Sequence, residues 1–216
     1  MPQCLSGLIR FLVFVVEYSL QYMVNFSHKK GGEMILKEEL LKIVRKQSYE
    51  KRKVVLSSGK DSDFYIDGKM TTTNPKGAFL VGKLMFEKIK RLGLDGVGGL
   101  TMGADPIATA IALVSHIEGR PVTAFFVRKE QKKHGKQLWI EGGWGLKEGS
   151  KVAIVEDVVT TGGSTLKAIE KAEEAGFVVA KVLALVDREE GGRENLEKKG
   201  YKFESIFTKG DILGEG

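Results

Sequence analysis

The sequence predicts an α/β fold: a central, mainly parallel, twisted sheet flanked by helices, with loops at the strand C-termini building a site and a small β-rich hood over it. Three observations carry that expectation. Short apolar, β-branched runs alternate with helical patterns at regular spacing. Several of these runs end in a glycine- or hydroxyl-rich turn that opens a helix. The chain has 216 residues, 42% hydrophobic and 29% charged, which suits one domain with a sizeable core.

The first 33 residues differ in character from the rest of the chain. Leu8 to Val16 is apolar apart from Arg10, and Glu17 ends it, too soon for a membrane span. It lacks the basic start and small-residue cleavage site of a signal peptide. A partner-binding or membrane-surface helix is one reading, and a segment not normally translated is another. The second is preferred, because the Lys-Lys-Gly-Gly-Glu stretch before Met34 is what a purine-rich ribosome-binding site would read as in frame. The expectation is an N-terminal extension over 1–33 and a domain over 34–216, its hood drawn from about 34–70 and the C-terminal part.

From Met34 an amphipathic helix places Ile35, Leu36, Leu40, Leu41 and Val44 on one side. Val54 to Leu56 and Phe64 to Asp67 read as a hairpin around Ser57, Ser58, Gly59 and Lys60. Lys60 and the aromatics Phe64 and Tyr65 offer donors and a stacking face for a flat ring. Asn74 to Leu92 is a helix, with Asn74 capping and Pro75 in the first turn. Residues 94–100 read as a strand, and Thr101, Met102, Gly103 and Ala104 as a tight loop entering a helix, suited to an anion. The glycines there do not make a dinucleotide fingerprint, because Thr101 stands where the last glycine of GxGxxG belongs.

Pro121 to Val127 is the next strand, and after it come Arg128, Lys129, Lys132, Lys133, His134 and Lys136 within a glycine-containing span. Cations at that density repel one another when packed, so the expectation is a mobile lid ordered by a polyanion. Val152 to Val155 is a buried strand ending in Glu156 and Asp157. Then come Val158, Val159, Thr160, Thr161, Gly162, Gly163 and Ser164, and a helix closed by Gly176. Glycines let amides crowd an anion, hydroxyls donate to it, and the helix N-terminus adds positive potential. Carboxylates beside a phosphate are useful only against hydroxyls or a cation, so a ribose 5-phosphate fits both ends of the motif. No GxxxxGK[ST] is present, which removes the ATP-binding P-loop. Phe177 to Val186 is a strand ending in Asp187 and Arg188. A short helix (193–200) and a last strand (202–208) complete the pattern.

The run EDVVTTGGST resembles the phosphoribosyl-pyrophosphate (PRPP) motif of type I phosphoribosyltransferases. The spacing R-K-x-x-K-x-H-G from Arg128 to Gly135 resembles the basic loop of the orotate members, which purine members lack. The resemblance spans 34 to about 211. It implies the type I phosphoribosyltransferase fold and transfer of a 5-phosphoribosyl group from PRPP to orotate, in pyrimidine synthesis. In its terms Lys129, Lys132, His134 and Asp157 are catalytic, and Arg128 and the run from Glu156 to Ser164 join them in holding PRPP. Thr101 to Ala104 is the pyrophosphate loop, where some members carry lysine at Gly103. Thr160, Arg188, Tyr65 and Lys60 face orotate. Mg²⁺ is bound mainly through PRPP, and the protein is a homodimer that shares its lid.

Two alternatives stay open: a different base, or a PRPP-sensing transcriptional regulator of the same fold. The net charge of +6 admits anionic partners, but lysines are spread among glutamates, so neither nucleic acid nor membrane is expected as a partner. With one cysteine there is no disulfide framework, and the cytoplasm is the expected compartment.

Overall fold

A computed structural model describes residues 32–55, 61–130 and 139–214. By its contacts the chain divides into Met1–Glu38 and Glu39–Gly216, and the second unit carries the sheets. The expected extension over 1–33 lies almost wholly outside the described residues.

The first helix, α1 (Gly32–Ile43), passes into a π turn over Val44–Ser48. Its apolar stripe holds where it meets the core: Leu40 and Val44 are fully buried. Strands β1 (Tyr49–Val55) and β2 (Asp61–Ile66) form an antiparallel pair of their own, the expected hairpin, with Tyr49 opposite Ile66. The C-terminal end joins this region through Arg45, whose guanidinium donates to the carbonyls of Asp211 (2.7 Å) and Ile212 (2.8 Å).

A short helix α2 (Lys69–Thr72) leads to α3 (Pro75–Ile89), capped as expected by Asn74, whose side chain accepts from the Gly77 amide at 3.0 Å. Next come β3 (Gly96–Leu100), α4 (Ala104–Ile117), β4 (Thr123–Val127), β5 (Ile140–Gly142), β6 (Lys151–Val159), α5 (Gly163–Glu174), β7 (Val178–Asp187), α6 (Gly192–Lys198), β8 (Phe203–Thr208) and α7 (Lys209–Leu213). The second sheet has six strands in the order β5-β4-β3-β6-β7-β8, parallel except at the β5 edge. Both faces of β6 are covered. Val152 and Ile154 pack in a cluster with Ala168, Ile169 and Ala172 of α5, while the alternate residues Ala153 and Val155 are equally buried.

Two features of this sheet create a site. Chain order reverses between β3 and β6, the switch point outside whose strand C-termini open α/β sheets bind ligands. In addition, β6 pairs with β3 only as far as Ile154 opposite Gly98, while on its other side it pairs with β7 through Val159 opposite Asp187. Past Ile154 the β3–β6 ladder stops: Gly99 still lies against the Val155 carbonyl, and beyond it the turn after β3 faces Glu156 and Asp157. The sequence expectation ended this strand at Val155, and the structure corrects it: Glu156 and Asp157 lie inside the strand.

Candidate active site

The opening between β3 and β6 leads into a cavity of about 260 Å³ lined by Thr101, Met102, Gly103, Lys129, Glu156, Asp157, Val158 and Ser164, with Leu100 and Lys69. Segments from three expected parts of the site converge there: the turn after β3, the first lysine after β4, and the acid pair with the cradle after β6.

Glu156 and Asp157 are 5% and 8% exposed. Ser164 Oγ in the first turn of α5 donates to Glu156 Oε2 at 3.0 Å. The Val158 amide donates to Asp157 Oδ1 at 2.9 Å. Burial, with the Asp157 charge next to it, pushes the Glu156 carboxyl from its ordinary 4.5 up to about 8. Burial and the neighbouring charge thus favour the neutral form of Glu156 at pH 7. Gly103 faces both: a Cβ there would lie 2.5 Å from Asp157 Oδ1 and 2.6 Å from Glu156 Oε1. The turn can approach the acids this closely only because position 103 has no side chain.

The cradle is a backbone structure. Gly162 has φ of +81°, the left-handed region that glycine enters without a Cβ penalty, and it turns the chain from β6 into α5. Thr161, Gly163 and Ser164 are exposed, leaving the cradle open. Behind it, the Asn195 side chain donates to the Thr161 carbonyl at 3.0 Å. Val159 is buried and acts through its backbone, its carbonyl accepting from the Arg188 amide at 2.9 Å.

The remaining expected residues fall in three places. Arg128 lies beside the cavity, in a neighbouring space of about 470 Å³ that shares Thr101 and Lys129, and it pairs with Glu141 at 3.1 Å. Ala104 is buried at the start of α4. Arg188 is buried, with 7% of its surface exposed; it donates to the Phe64 carbonyl at 2.8 Å and pairs with Glu190 at 3.0 Å. It thus links the sheet to the hood, on the strand that carries Tyr65, whose ring lies 3.7 Å from the Arg52 guanidinium. Lys60, Lys132 and His134 lie outside the described residues.

Sequence reasoning missed Lys69. Its ammonium reaches Asp67 Oδ1 at 2.7 Å and Asp157 Oδ2 at 3.7 Å, and these contacts, the Asp67 hydrogen bond foremost, hold its pKa above the ordinary value against the opposing pull of burial. No periodicity marks the position, and its partner Asp157 is remote in sequence.

A phosphoribosyl transferase domain matches residues 67–209. An orotate phosphoribosyltransferase of Aquifex aeolicus is 48% identical over 183 residues, covering 83% of this chain and 99% of the relative. The chain belongs to the orotate phosphoribosyltransferase family. Two crystal structures of the Mycobacterium tuberculosis orotate phosphoribosyltransferase agree. One, in complex with Fe(III) dicitrate, aligns with a TM-score of 0.72 at 40% identity over 82% of this chain and 98% of that one. The other, in complex with PRPP, gives 0.69 at 37% over 82% and 99%. The type I phosphoribosyltransferase fold expected from the sequence is the fold observed, and the two-stranded sheet fits its hood.

Proposed function

We propose that the chain transfers the 5-phosphoribosyl group of PRPP to orotate, giving orotidine 5′-monophosphate and pyrophosphate. The single observation that carries this reading is that Ser164 at the start of α5, the acid pair, the turn after β3 and Lys129 line one cavity at the switch point. The family's named relatives supply the base.

In this reading the amides and hydroxyls of Thr160 to Ser164 hold the 5-phosphate at the start of α5. Glu156 and Asp157 accept hydrogen bonds from the ribose hydroxyls, and Asp157 lies near the positive charge that develops on the sugar ring as its bond to the leaving group stretches. In the turn Thr101 to Ala104, the backbone N–H groups from Met102 onward face the diphosphate, since the Thr101 amide donates to the Val127 carbonyl at 2.8 Å. Arg128, Lys129, Lys132 and His134 neutralise charge building on it. Arg188, Tyr65, Lys60 and Thr160 face the base. For Arg188 this requires exchanging Glu190 for the orotate carboxylate, a planar match for its guanidinium.

Mg²⁺ fits the donor set in one way. Among the described residues no group of three or more potential ligand side chains exists, but two hard carboxylates share the cavity. Glu156 and Asp157 would hold the ion through its waters while PRPP oxygens supply the rest. When bound it supplies charge stabilisation of the diphosphate.

A homodimer with a shared lid and a cytoplasmic location complete the proposal. They rest on family resemblance and on cysteine usage respectively. No helix among the described residues is long and apolar enough to cross a membrane.

The test is loss of orotate absorbance when PRPP and Mg²⁺ are added to the protein. Turnover with orotate, and none with adenine, hypoxanthine or uracil, is the expected result. Turnover with another base only would overturn the assignment.

A further inference from the structure

The cavity between β3 and β6 needs positive charge to receive a diphosphate, and its pyrophosphate turn cannot bring a side chain to the acid pair at Gly103. Lys129 provides one cation. The geometry points to a second: we propose that Lys69 is a further ligand-binding residue, whose ammonium contacts the diphosphate end of PRPP. This rests on the phosphoribosyltransferase reading of the site and adds to it a residue from the segment joining hood and core.

Lys69 is not an incidental surface lysine. The chain just before it is seated directly on Asp157: a Cβ at Gly68 would lie 2.7 Å from Asp157 Cβ and 3.1 Å from its Oδ2. Asp67 fixes the direction of the side chain from two sides. Its Oδ1 accepts from the Lys69 amide at 3.1 Å and from the ammonium at 2.7 Å, so backbone and side chain of residue 69 are tied to one oxygen. The ammonium so held lines the cavity along with Thr101 to Gly103, yet the side chain keeps 43% of its surface exposed. It is therefore both positioned and reachable.

At 3.7 Å, its contact with Asp157 is longer than a hydrogen bond, and three donors of an ammonium cannot all be used by one 2.7 Å partner. A phosphate oxygen entering the cavity on the Lys69 side meets ammonium donors that Asp67 does not use. Among the described residues Lys69 and Lys129 are the lysines on this cavity. They come from different segments, Lys69 from the hood side and Lys129 from the end of β4, an arrangement that suits a diphosphate with charge on both phosphoryl groups.

The experiment is calorimetric titration of the full chain with inorganic pyrophosphate plus Mg²⁺, and separately with ribose 5-phosphate. Lys69→Met is expected to weaken pyrophosphate about tenfold while ribose 5-phosphate stays within about twofold, since one charge-assisted hydrogen bond is lost at one end of the site only. Lys69→Arg keeps the charge and is expected to restore pyrophosphate to within about threefold. An unchanged melting temperature confirms that the variants fold. If wild type binds pyrophosphate and Lys69→Met binds it equally well, the proposal is overturned and the site reading stands. Parallel weakening of both ligands assigns Lys69 a structural role and also overturns it. If wild type binds neither of these ligands nor PRPP, the site reading itself fails, and Lys69 with it.

Discussion

The two ends of the crevice are built by different means. At the cradle, Thr160 to Ser164 continue from β6 without interruption, the turn is set by one left-handed glycine, and Asn195 braces it from behind. At the other end, where the diphosphate is proposed to bind, the cavity wall gathers Lys69 after the two-stranded sheet, the turn after β3, and Lys129 after β4. The first is a contiguous backbone device, and the second gathers side chains from segments far apart in the chain. The difference teaches where each end is vulnerable. Backbone geometry is broken by adding a Cβ, whereas a cationic wall is broken by removing charge.

Substitutions at each end sharpen that contrast. The largest effect is expected at the cationic end, where Lys132→Ala should lower turnover on the order of 10²–10³-fold, the scale of losing one preorganised charge on a leaving group. Its melting temperature should match wild type in a thermal scan. Near-normal turnover would remove the basic segment from the mechanism.

At the cradle the pattern should invert. Gly162→Ala forces an L-residue to φ of +81° with its Cβ 3.3 Å from the Gly192 carbonyl oxygen. Left-handed strain of about 1–2 kcal/mol should lower the melting point by roughly 2–8 °C in a domain of this size. The PRPP KM should rise about tenfold through loss of one anion-binding turn, with kcat less affected. A variant with wild-type stability and KM would mean that the turn does not depend on its glycine.

The smallest effect concerns the acid pair between the two ends. The folded protein keeps the Glu156 proton up to about pH 8, whereas the unfolded chain releases it near 4.5. Between those values the folded state binds more protons, so Glu156 costs stability progressively as pH rises through that window. Glu156→Gln removes the cost and still accepts from Ser164. Its melting temperature relative to wild type should therefore climb from pH 5 to pH 8 and then level off. A pH-independent difference would contradict the burial of this acid.

Legibility in the sequence divides along the same line. The cradle, its helix and the Asn74 cap are readable because residue type, spacing and local geometry coincide within a few positions. The strand end is misjudged because two consecutive acids look like the exit of a strand into solvent. Only pairing with β7, which continues to Asp187, shows that they stay within the sheet. β5 and α7 carry no periodic signal: three residues pair with β4 at the sheet edge, and the last turn depends on a capping box between Thr208 and Asp211. Lys69 is invisible for a physical reason, since its meaning lies in contact with Asp157. The burial of Arg188 against Phe64 is hidden in the same way.

A crystal structure of the protein with PRPP and Mg²⁺ tests the central claim most directly. The account places the 5-phosphate on the amides of Thr160 to Ser164, the ribose hydroxyls on Glu156 and Asp157, and the diphosphate along Thr101 to Gly103 within reach of Lys69 and Lys129. PRPP bound outside the β3–β6 crevice, or inside it with its two ends exchanged, would contradict it.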